Sequence, residues 1–136
     1  MHKKDISIEQ RHRNFAKNFV EKKIEFYKKK DIQYKLLLEK SLSWEEEFHI
    51  AQLIQANLYK IAKGDSEVIV EDWKSETSRV LKLDPLKKNS TQIAEKFKKS
   101  QKLKKAVPHH EKLIKKNQEY ITLWKKIFEE IGRAHV

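Results

Sequence analysis

The residues best placed to do chemistry in this chain are lysines. KFKKSQKLKKAVPHHEKLIKK, residues 96–116, holds nine lysines and one acid, Glu111. Nine minus one gives +8, most of the formal net charge of +11 carried by 136 residues. A surface of this sign attracts polyanions, and a phosphate backbone is the usual one. With Ile93 at zero on a helical wheel of 100° per residue, Phe97, Ser100, Leu103 and Val107 share one side. Lys98, Lys99, Lys102 and Lys105 fall on the other, and Lys112 and Lys115 oppose Leu113, Tyr120 and Trp124. The cluster is thus the wet face of amphipathic helices. Most wet faces mix signs, however, and like charges at i,i+3 and i,i+4 cost a few tenths of a kcal/mol each. Between residues 96 and 116 the mixing stops.

The sequence therefore points to a nucleic-acid contact through Lys96, Lys98, Lys99, Lys102, Lys104, Lys105, Lys112, Lys115 and Lys116. A second basic face is expected from Arg11, Arg13, Lys17, Lys28 and Lys35 on the first helix, forming a groove if it packs beside Lys98–Lys105. The chain has 27 lysines and four arginines. Lysine is a hydrated point charge, whereas arginine offers the fork that reads guanine. Backbone binding with little sequence preference follows, to DNA or RNA. Asn89, Ser90, Thr91 and Gln92 stand at a helix start, where N–H groups can hold a phosphate, although ordinary capping is the simpler use.

Other chemistries find little support. Glu-x-x-His occurs twice, at Glu9/His12 and Glu46/His49, as in di-iron bundles. On the wheel His12 lies in its apolar stripe, which implies a buried, hydrogen-bonded ring, while Glu46 and His49 point away from theirs. Both pairs cannot face one interior. His109 and His110 read as a spacer at a helix start. Two glycines build no phosphate loop, no GxSxG or HExxH is present, and the absence of cysteine removes thiol and zinc-ribbon chemistry. A non-enzymatic protein without metal or cofactor is expected.

These residues must be positioned by helices. Few glycines and prolines and a helical apolar period imply an all-α fold, a single-domain bundle of about five helices plus a short one over residues 1–130. The first helix starts at a Ser7-x-x-Gln10 capping box and carries Ile8, His12, Phe15, Phe19 and Phe26, widened by Val20, Ile24 and Tyr27. A short segment follows over 31–40. The next helix is capped at Ser43, stapled by Leu42, and ends at Lys63-Gly64, with Asp65 capping the next element. Val68-Ile69-Val70 is β-branched, yet a lone strand needs a partner, so 65–83 reads as helix. Another helix, capped by Ser90 or Thr91, breaks at Val107-Pro108, and Pro108 starts the last. Trp44, Trp73 and Trp124 lie on apolar stripes and read as core anchors.

The 108–131 helix has a wide apolar stripe with Asn117 in its seam, the kind of polar residue that fixes coiled-coil register. It supports the alternative function, a protein-interaction module that docks on another protein or on itself. The composition is similar to that of small basic helical proteins of phages and mobile elements, adaptors and inhibitors among them. No apolar run exceeds three residues, against about 20 for a membrane span, so a cytoplasmic protein is expected. Residues 131–136, IGRAHV, match one reading frame of a common sequencing adapter. They are expected to be a non-native tail, with the natural chain continuing from about Glu130, so Arg133 and His135 stand outside the site.

Overall fold

A computed structural model describes residues 7–133; residues 134–136 of the expected tail lie outside them. The elements are α1 (Ile8–Leu42), α2 (Trp44–Ala56), a 3-10 turn (Leu58–Lys60), β1 (Glu67–Asp72), β2 (Thr77–Lys82) and α3 (Asn89–Arg133). The chain is mostly helical, but it is not a five-helix bundle. Two long helices and a two-stranded antiparallel hairpin replace that expectation.

The expected helix over 65–83 is the hairpin. Glu67 pairs with Lys82, Val70 with Arg79 and Asp72 with Thr77. Side chains in β1 alternate, so Val68, Val70 and Asp72 are buried while Ile69 is exposed. The turn Trp73–Glu76 contains no glycine. Glu76 takes the left-handed φ of +56° itself, and its N–H donates to the Asp72 carbonyl at 2.8 Å. Trp73 sits in this turn and is about half exposed, so it is no core anchor.

Two predicted breaks are bridged. α1 continues through 31–40, and α3 continues through Pro108. Proline removes one helical N–H bond and costs roughly 3 kcal/mol in a helix interior. Here the apolar seam continues on both sides of it, with Val107 and Leu113 partly buried and Pro108 exposed to solvent. At the other helix ends, Ser7 Oγ accepts from the Gln10 N–H at 3.1 Å, as a capping serine should. Ser43 does not cap α2; its hydroxyl donates back to the Lys40 carbonyl at 2.6 Å, and Leu42 is left exposed. α2 stops at Ala56, earlier than Gly64, because Asn57 Nδ2 donates to the Leu53 carbonyl at 2.7 Å. Gly64, at φ +89°, serves a separate turn in which Asp65 Oδ2 accepts from the Ala62 N–H. α3 begins at Asn89, so Ser90 and Thr91 stand inside its first turn.

The described residues divide into two compact units, one of 7–38 with 108–133 and one of 39–107. The second unit holds the aliphatic core: Leu53 and Ile54 of α2, Ile61, Val68 and Val70 of β1, Leu81 of β2, Leu83, and Ile93 of α3. Phe48 meets Phe97 edge to face, and the buried Ser100 donates to the Trp44 carbonyl at 3.0 Å. In the first unit α1 and α3 pair antiparallel. Phe19 meets Trp124 at 6.2 Å and Tyr27 meets Tyr120 at 5.3 Å. Asn117, buried in this seam, donates to the Tyr27 carbonyl at 2.7 Å. The α1 seam runs through Val20, Ile24, Tyr27 and Tyr34, leaving Ile8, Phe15, Phe19 and Phe26 largely in solvent. His12, on the same side, is exposed rather than buried.

Candidate nucleic-acid interface

The structure sorts the lysines of α3 by what they touch. In the second unit Lys99 reaches Glu47 at 3.3 Å, and Lys104 lies 4.7 Å from the centre of the Trp44 ring. Lys96 is partly buried and lines a cleft of about 290 Å³ with Glu47, Asp84, Glu95 and Lys99, where signs are mixed. Beside it Lys87 pairs with Glu95 at 2.8 Å, which raises the Lys87 pKa. Lys98, Lys102 and Lys105 are different. All three are exposed, they follow one another at i,i+4 and i,i+3, and none forms an ion pair among the described residues. Their ammonium groups face water with no carboxylate to neutralise them.

The remaining predicted cations lie in the first unit. Lys112, Lys115 and Lys116 are exposed on α3, Arg11 is exposed on α1, and Arg13 and Lys17 are partly buried there. The neighbour of this part of α1 is the Trp124 region of α3, as the Phe19–Trp124 contact fixes. Arg11–Lys17 thus belong to the first unit and Lys98–Lys105 to the second.

Of the helix-start polar residues, Gln92 is already used. Gln92, buried, accepts from the Asp84 N–H at 2.7 Å and donates to the carbonyls of Asp84 and Lys87. It latches the loop between β2 and α3. Sequence reading missed a basic cluster around this loop, where Lys63, Lys87 and Lys88 border a pocket with Pro85 and a fully exposed Leu86.

Sequence reading also missed a buried ionic network. His49 was expected on the wet face of α2, yet it is buried and its Nε2 lies 2.7 Å from Asp72 Oδ1. Asp72 also accepts from the Lys74 N–H at 2.9 Å and from Arg79 at 3.2 Å, and Arg79 donates on to Glu46 at 2.9 Å. Burial pushes the Asp72 carboxyl up. The Lys74 N–H, His49 and Arg79 outweigh it and hold the pKa at about 2. Glu46, and then Asp72, raise the Arg79 pKa. The Glu46-x-x-His49 pair is thus spent on fastening the hairpin to α2, with the Trp73 ring edge-on to His49 at 5.0 Å. The alternation of β1 is the signal that could have placed Asp72 inside. No group of three His, Cys, Asp or Glu residues spaced to hold a metal occurs among the described residues. No helix among them is long and apolar enough to cross a membrane.

A family model for the NFACT N-terminal and middle domains matches residues 2–136, and the chain belongs to this family. No curated protein matches it. The family is associated with ribosome quality control factors that bind RNA and the ribosome, and its N-terminal region is typically a non-catalytic part of them.

Proposed function

We propose that this member of the NFACT family is a non-enzymatic RNA-binding protein that grips the phosphate backbone with little sequence preference. The observation that carries the reading is the row Lys98, Lys102 and Lys105, exposed and without ion pairs on one face of α3. Like charges at this spacing repel, and a polyanion offsets the repulsion. Lys96, Lys99 and Lys104 flank the row; Lys112, Lys115, Lys116, Arg11, Arg13 and Lys17 supply further phosphate contacts from the first unit. Scarce arginine fits backbone contact better than base reading. The family's association with RNA and the ribosome supports RNA over DNA and a site of action at cytoplasmic ribosomes.

The test is fluorescence anisotropy with single-stranded RNA, duplex RNA and single-stranded DNA, each across a salt series. Neutralising three phosphates gives a log–log salt slope of about 2 on a single strand. Changing Lys98, Lys102 and Lys105 together to Glu is expected to remove that slope and most of the affinity. Unchanged affinity in the triple variant would overturn the reading.

A second reading, docking of a protein partner, draws support from Phe15 and Leu123, which are exposed on the first unit. The 108–131 seam itself is filled by α1, so self-association would have to use these outer residues. A strictly monomeric mass at high concentration with no bound partner would count against it.

A further inference from the structure

In the first unit, aromatic rings gather around a slot of about 210 Å³. Phe26, Tyr27 and Tyr34 of α1 and Tyr120 of α3 line it, with Lys30 and Lys116 at its rim. Tyr27 and Tyr120 lie 5.3 Å apart and tilted by 35°, and Phe26 stands edge-on to Tyr27 at 5.2 Å. Phe26 is half exposed and Tyr120 partly so, so both rings keep surface in water. None of the three tyrosine hydroxyls hydrogen-bonds to protein among the described residues. The Lys30 ammonium rests over the Phe26 ring, 5.5 Å from its centre.

A ligand that uses all of this is planar, carries ring edges for the hydroxyls, and has an anion beside the ring. Base-on-aromatic stacking between flanking lysines is how single strands are held without sequence readout. We infer that the slot takes one nucleobase of single-stranded RNA, with an adjoining phosphate between Lys30 and Lys116. This rests on the RNA-binding reading above and adds to it a stacking subsite, which gives single strands an advantage over duplexes. A helix partner would need a long apolar groove, whereas this slot is about one ring in size and has lysines at its rim.

The experiment uses a single-stranded RNA oligonucleotide with one 2-aminopurine, read by quenching and by anisotropy. The wild-type chain is expected to quench the probe on binding. Phe26→Leu with Tyr120→Leu, in a chain of unchanged helical circular dichroism, should abolish quenching and weaken binding about ten-fold. Its salt slope should stay as it was. Tyr120→Phe should keep both signals, since it keeps the ring. The Lys98→Glu, Lys102→Glu, Lys105→Glu variant separates the two readings: its salt slope should fall by about 2, yet it should still quench at saturating RNA. If that variant binds normally while the wild type quenches, the lysine row fails and the slot stands. If RNA binds without quenching, or the double leucine variant behaves as wild type, the slot is overturned. An acidic, aromatic-bearing peptide that binds there without competition from RNA would also overturn it and make the slot a peptide site.

Discussion

The two units are stabilised by different means. The second gathers eight aliphatic side chains into one buried cluster and adds a buried carboxylate with three donors. Among its described residues the first buries one aliphatic side chain, Val20, and places Asn117 in the middle of its seam. Its aromatics are half exposed: Phe15, Phe19, Phe26 and Tyr120 all keep surface in water. A unit with a closed core spends its apolar residues on stability. A helix pair with a partly polar seam leaves rings available to meet a ligand.

Substitutions can sharpen or break this contrast. The largest effect is expected at Ile54, fully buried in the second unit. Ile54→Ala should cost about 2–5 kcal/mol in urea unfolding, through lost transfer energy and a cavity. Val20→Ala in the first unit should cost roughly 1.5 kcal/mol, for two buried methyl groups at about 0.8 each. Equal losses at the two sites would erase the distinction. Asn117→Ala should cost about 1 kcal/mol, the net worth of its bond to the Tyr27 carbonyl. Hydrogen exchange should show that loss confined to residues 8–38 and 108–133.

The last contrast is silent near neutrality. The Asp72 carboxyl is depressed from its ordinary 3.8 to about 2. A depressed carboxylate contributes stability that is fully present above the ordinary value and is lost as pH falls through the folded one. The Asp72 contribution should hold above about pH 4 and vanish between about 4 and 2. Acid titration of the hairpin, followed by exchange at β1 and β2, should show this limb, and Asp72→Asn should flatten it. The Asn117 seam has no counterpart and should show none.

The seam of the last helix was legible in the sequence because its period is sustained. Asn117, Trp124 and their neighbours recur by fours and threes, and the helix buries that stripe. The hairpin was not legible, for two reasons. Its turn uses Glu76 at a positive φ, where glycine or asparagine would have announced it. Its second strand, Thr77–Lys82, buries only Leu81 fully, so it shows no clean alternation. The α1 seam was only partly placed because that helix carries a broad apolar stripe, and contacts with α3, Asn117 and Tyr120 on Tyr27 among them, favour Val20–Tyr27 over the phenylalanines. For the candidate site, the sequence located the lysines but could not rank them. Ranking depends on Glu47 and Trp44, which lie more than fifty residues away along the chain.

The three tryptophans, Trp73 exposed and Trp44 and Trp124 partly buried, give the molecule a set of optical reporters. Trp44 lies beneath the Lys104 ammonium, Trp73 stands edge-on to the His49 imidazole, and Trp124 abuts Phe19. A cation, an imidazole and a benzene ring perturb indole emission differently. Chains retaining one tryptophan each would therefore report separately on the lysine face, the hairpin and the helix pair, with no dye attached.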